Sequence, residues 1–211
     1  MDQRRPPEYI LDVFADPTSI LHTIFFHRYF TPIRPLTRDL LDMTLPAIDD
    51  VDLETMIEQR TTDLLRQIDS KSSYSNQGGR GQVAIFFAEK RRRKTYFQVK
   101  EEKTVWEQWL LNVTLATPRT ETGALELLSR LQTNDTGSGN LADGCVSPAD
   151  VIKVRRAMEK SLQKAALKII HIVNRDKDHI PPITTTDSNP FPYEIVVNPK
   201  SESWGQTLGI F

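Results

Sequence analysis

The chain has one cysteine, Cys145, in 211 residues. That excludes an intramolecular disulfide framework and a cysteine-rich zinc site. It also lacks any apolar run near 18 residues and any leader-like segment, so cytosol or nucleus is the expected location. An excess of one charge is missing too. The 27 basic and 28 acidic residues leave a net charge of −1, so attraction to nucleic acid or membrane has to be local. Catalytic signatures are equally scarce. There is no Gly-x-Ser-x-Gly elbow, and Gly78-Gly-Arg-Gly81 precedes a strand, whereas phosphate-cradling loops lead from a strand into a helix. Cys145 lies near a predicted helix N-terminus, which favours a thiolate. No spacing supplies it with a histidine, and a loop cysteine without chemistry is the plainer reading. His22 and His27 are five residues apart, about 140° around a helix, and do not suit one metal. They are expected to be surface or core histidines bonded to neighbours, and His171 and His179 to face solvent. No cofactor or metal is implied.

What the chain does have is one long amphipathic pattern. Ser147 and Pro148 open a helix by cap and proline. Val151, Val154, Met158, Leu162, Ala165, Ile169 and Val173 then recur at steps of three and four, predicting a helix from Pro148 to about Val173. Its end, Ile169-Ile-His-Ile-Val173, is apolar almost all round. Such a turn is covered on more than one side, by its own sheet or by another protein.

Taken in order, residues 1–7 are polar and expected to be disordered. Tyr9 to Phe14 reads as a strand, and Asp16-Pro17 opens a helix with Ile20, Leu21, Ile24, Phe25 and Phe26 in the core. Residues 31–47 look irregular, with a short strand near Leu45–Ile48. Asp50 or Asp52 caps a helix over about 52–69 with the stripe Leu53, Ile57, Leu64 and Ile68. Ser70 to Gly81 reads as a loop. Gln82–Glu89 and Val105–Leu115 read as strands of one hairpin, with residues 90–104 as its long tip. A short helix over Glu121–Gln132, a loop over Asn134–Gly144 and a last strand Tyr193–Val197 complete the series. This order gives an α+β fold, with helices against a mostly antiparallel sheet.

Two surface features carry functional readings. The run Lys90-Arg-Arg-Arg-Lys94 resembles a nucleic-acid or nuclear-import patch, against the plainer reading of a solvated tip balanced by Glu101 and Glu102. Tyr96 and Phe97 sit at that charged tip, where bulky aromatics commonly anchor partners. The plainer alternative folds them over Trp106 or Trp109.

Three segments resemble the autophagy-related protein 101 family in its order. They are Leu21-His-Thr-Ile-Phe-Phe-His-Arg28, the hairpin Phe87–Lys94 with Trp106–Thr117, and Lys168-Ile-Ile-His-Ile-Val-Asn-Arg175 followed by Ile180-Pro and Tyr193-Glu-Ile195. The resemblance implies a HORMA domain over residues 8–198, with a C-terminal safety-belt region and a short tail over 199–211. A belt this short suits a state locked open. It also implies a non-enzymatic subunit that pairs with the HORMA domain of autophagy-related protein 13, within the autophagy-initiating kinase complex. The implied setting is the cytoplasm and the phagophore assembly site. HORMA pairs commonly meet through the long helix, which nominates Lys164, Lys168, His171, Ile172 and Arg175 as interface residues. The family's Trp–Phe finger, which recruits downstream autophagy factors, maps onto Tyr96 and Phe97. Here tyrosine replaces the tryptophan. Nucleic-acid binding through residues 90–94 is the rival reading.

Overall fold

A computed structural model describes residues 5–30, 34–72, 79–95, 98–115, 148–183 and 189–199. In chain order these form β1 (Glu8–Val13), α1 (Thr18–Arg28), β2 (Pro35–Leu40), β3 (Met43–Ile48), α2 (Val51–Ser72), β4 (Arg80–Thr95), β5 (Gln98–Thr114), α3 (Pro148–Arg175) and β6 (Tyr193–Val197). The predicted helix over Glu121–Gln132, the loop before Ser147, Cys145, the tip residues Tyr96 and Phe97 and the tail beyond Pro199 lie outside the described residues.

The main sheet has the order β1-β5-β4-β6. β1 runs parallel to β5, with Leu11 opposite Leu111, and the other two pairings are antiparallel. The helices share one face of this sheet. The core joins Leu11, Ile20, Ile24, Phe25, Leu53, Ile57, Leu64, Ile85, Phe87, Trp109, Leu162 and Ile169. This is the α+β arrangement of a HORMA-like fold.

Local chemistry sets the helix starts. The Asp16 carboxylate accepts the Thr18 backbone N–H at 2.8 Å, and Asp50, rather than Asp52, accepts that of Leu53 at 3.0 Å. Both satisfy donors that a helix N-terminus otherwise leaves free. The stripe Leu53, Ile57, Leu64 and Ile68 is fully inside. Two glycines let β4 begin directly beneath it. A Cβ on Gly79 would lie 2.0 Å from Ile68 Cγ2, and one on Gly81 2.6 Å from Leu64 Cδ1. The glycine-rich stretch therefore serves close backbone approach to a helix.

Two sequence expectations need correction. Residues 35–48 are not irregular with one short strand, because β2 and β3 pair along their whole length as a separate hairpin. Most β2 residues are exposed, so no buried alternation marked the strand; Leu41 makes its tight turn with φ 56°. Nor do the two hairpin strands stop at Glu89 and Val105, with a long tip between them. The β4–β5 ladder continues through the charged run to Thr95 opposite Gln98. Ladder hydrogen bonds are made by the backbone and need no apolar side chains. β1 covers β5 only from Gln108 to Val113, and β6 covers β4 only from Val83 to Phe87. From Glu89 outward β4 and β5 have no other ladder partner among the described residues and pair as a two-stranded ribbon, seven residues of β4 and about 23 Å long.

Candidate functional site

A register shift between Phe87 and Ala88 places one extra residue, Trp106, in β5. Such a bulge turns two successive side chains toward one face. Here Trp106 and Glu107 are both buried, at 6% and 0% exposure. Trp106 packs against Phe87 and Phe191, with ring centroids 5.7 and 5.2 Å away.

Glu107 is the centre of a polar knot. Arg28, at the end of α1, donates from Nε to both carboxylate oxygens at 2.8 and 2.9 Å. Trp109 Nε1 donates to Oε1 at 2.5 Å, and His179 Nε2 lies 2.6 Å from Oε2. Arg28 also donates from Nη2 to the Asp176 backbone carbonyl at 3.2 Å. The Asp176 carboxylate accepts the Tyr9 hydroxyl at 3.0 Å, while Tyr9 packs on Trp109 with centroids 4.8 Å apart. Hydrogen bonds from Arg175 hold the Asp176 carboxyl down at about 2, and burial raises the Tyr9 hydroxyl above its ordinary value. A buried charge is tolerable only when paired and hydrogen-bonded, and every member here has such partners. The knot moors the chain leaving α3 to β1, α1 and β5. Farther on, Asn198, at φ 46°, accepts the Gln82 N–H at 2.9 Å and donates to Gln67 at 2.7 Å. The strand β6 is therefore pinned at its end as well as along its length.

None of Arg28, Glu107 or Asp176 was singled out in the sequence, and His179 was expected in solvent. A signal was present. Glu107 is the lone acid within the apolar stretch Val105–Leu115, and Arg28 ends a helix that is mostly buried. His171 is exposed, as expected, and His22 lies in the core, but without the expected bonds to neighbours. His22 is 1% exposed and neither ring nitrogen has a hydrogen-bond partner among the described residues; burial, then the Arg38 charge, push its pKa down to about 4. His27 is lowered by burial in the same direction.

The nominated helix residues divide. Lys164, Lys168, His171 and Arg175 are exposed and fall along one flank of α3, whereas Ile172 is 4% exposed and belongs to the core. α3 packs against β1, α1 and β3, and at 100° per residue Ile172 falls on the covered side with Ile169 and Val173. The exposed apolar residues are instead Leu167, at 59%, and Ile170, at 42%. Two of the cations also have local work. Lys168 Nζ donates to the Ile10 carbonyl at 2.7 Å, on the open edge of β1, and Arg175 pairs with Asp176 at 2.7 Å. A lysine on an unpaired strand edge discourages further strand pairing.

Among the described residues no group of metal-ligating side chains occurs and no helix is long and apolar enough to cross a membrane. What the fold presents is an exposed side of α3 with Leu167 and Ile170 beside a row of cations, a moored segment after it and a two-stranded ribbon. These are features of one α+β domain of the HORMA-like kind. The chain belongs to the Autophagy-related protein 101 family, whose pattern matches residues 11–187. It is 27% identical to the Autophagy-related protein 101 of Arabidopsis thaliana over 186 residues, covering 87% of this chain and 80% of that protein. It is 26% identical to that of Schizosaccharomyces pombe over 191 residues, covering 90% and 82%. The family ties the chain to autophagy.

Proposed function

We propose that this chain is a non-enzymatic scaffold subunit of autophagy initiation, which heterodimerises with the HORMA domain of autophagy-related protein 13 and stabilises it. It acts in the cytoplasm and is recruited to the phagophore assembly site. Exposure of Leu167 and Ile170 on the longest helix, flanked by Lys164, Lys168 and His171, carries this reading. Large apolar side chains on an ordered helix face among cations suit a partner with an apolar strip and an acidic rim. The mooring of residues 176–179 and the pinning of β6 support a belt that stays in one arrangement. Tyr96 and Phe97, which separate Thr95 from Gln98 in the sequence, recruit downstream factors.

The test is size-exclusion chromatography with light scattering, with and without that partner domain. A 1:1 peak is expected, and Leu167→Asp with Ile170→Asp should split it while the circular dichroism of the variant stays unchanged. Two separate peaks with the unaltered chain overturn the assignment.

A further inference from the structure

Strand edges in this fold are unevenly guarded. On the outer edge of β1, Lys168 Nζ donates to the Ile10 carbonyl at 2.7 Å and Ser161 Oγ accepts the Phe14 N–H at 2.9 Å. The β2–β3 hairpin differs from one edge to the other. The Asp49 N–H donates to the Arg34 carbonyl at 3.0 Å, one step beyond Pro35 opposite Ile48. An antiparallel ladder alternates, so Leu36–Ala47, Arg38–Leu45 and Leu40–Met43 bond across the hairpin. The pairs Pro35–Ile48, Thr37–Pro46 and Asp39–Thr44 turn their backbone groups outward instead. Pro46 leaves the β3 edge without a donor midway. On the β2 edge, Thr37 and Asp39 each present an N–H and a carbonyl. Both residues are exposed, and nothing among the described residues bonds these groups.

We infer that this β2 edge receives an extended, basic segment of a partner protein as a third strand beside the hairpin. Unpaired donors and acceptors on an edge are a template for strand addition. The surroundings select the charge of the occupant. Residues 39–58 hold seven acidic residues and no basic one. Two of the seven face a cation, Asp42 with Arg155 and Glu54 with Arg38. Asp39 lies on the edge itself, where a lysine or arginine opposite it pairs across the strands. Leu36, 43% exposed, adds an apolar contact for an alternate side chain. The hairpin turn meets α3 at Arg155, about 18 Å along the helix from Leu167. Binding at the edge is thus independent of the heterodimer face, and either can fail alone.

The experiment titrates the isotopically labelled full chain with a short peptide of alternating lysine and valine, and with its glutamate–valine counterpart. Amide resonances and hydrogen exchange report the site. Without peptide, the Thr37 and Asp39 amides should exchange fast while Arg38 and Leu40 are protected. The lysine–valine peptide is expected to shift and protect Thr37 and Asp39, less so as salt rises, and the glutamate–valine peptide to leave them unchanged. Thr37→Pro removes an outward donor without touching a bond to β3, and should abolish binding at an unchanged melting temperature. Asp39→Lys should weaken it roughly fivefold. Should Thr37→Pro fail to fold, N-methylation of the peptide backbone tests the same hydrogen bonds from the other side. Equal binding of the two peptides, indifference to N-methylation, protection confined to other residues, or no binding at millimolar peptide overturns the inference. So does dimerisation of the chain that Thr37→Pro abolishes, which assigns the edge to a second copy.

Discussion

Arg28 and Glu107, 79 residues apart in the chain, meet as an ion pair with 3% and 0% exposure, one guanidinium nitrogen shared between both carboxylate oxygens. Removing one partner leaves a buried charge uncompensated, which typically costs about 3–5 kcal/mol. Arg28→Ala is therefore expected to lower the unfolding free energy by about that amount, measured by urea denaturation. Arg28→Met with Glu107→Leu should recover much of it, because the desolvation of both ions disappears with them.

His179→Ala removes one ligand of the same carboxylate but leaves the ion pair. The expected result is a small loss of global stability with faster amide exchange over residues 176–183. Equal protection in both proteins would show that the knot does not moor this segment.

Burial makes stability depend on acidity. The pKa of His22 is lowered from 6.5 to about 4 in the folded chain, so the unfolded chain takes up the proton first. Stability is then fully present above about pH 6.5 and falls as the pH drops toward about 4, by about 3 kcal/mol in all. His27 is shifted in the same direction and acts with the same sign. His22→Leu should flatten the slope of unfolding free energy against pH within this window. The Asp176 carboxyl works at still lower pH, its contribution disappearing as the pH falls through about 2.

Gly79 tests the contact between α2 and β4. The atom its Cβ would meet is Ile68 Cγ2, fixed next to the branch point and unable to swing away. Gly79→Ala should cost about 1–3 kcal/mol by thermal or urea unfolding. Gly81→Ala should cost less, since the Leu64 methyl it meets ends a longer side chain.

The two isoleucines near the end of α3 should behave oppositely. Ile172→Ala opens a cavity and should destabilise the fold by about 2–5 kcal/mol, whereas Ile170→Ala should leave unfolding within about 0.5 kcal/mol. Partner binding should respond in the reverse order.

That contrast shows how much was legible in the sequence. Periodicity located α3, its buried stripe and the stripe of α2, because those residues repeat with the helix itself. It cannot assign the flanks of a helix whose last turn is apolar all round. Which flank is covered depends on β1 and α1, at the other end of the chain. Glu107 was hidden for a similar reason. An acid in a strand acquires meaning only when Arg28 arrives from 79 positions away. The hairpin is legible in the sequence, but its extension to Thr95 and Gln98 is not, because that part of the ladder is built by backbone atoms under a charged sequence without apolar alternation. The pair Tyr96 and Phe97 is marked first by two bulky aromatics beside a charged run and again by family likeness, and the register adds only that they separate Thr95 from Gln98.

The parallel pairing of Leu11 with Leu111 has a consequence for synthesis. A strand made first waits for a partner encoded a hundred positions later, and translation at about 5–20 residues per second makes that wait roughly ten seconds. During it Tyr9-Ile-Leu-Asp-Val13 has no ladder on either side, and Lys168, which covers its outer edge in the finished fold, is made later still. The nascent chain is thus most exposed to wrong strand pairing at its beginning, and a holdase chaperone acting there would govern how much of it reaches the folded state.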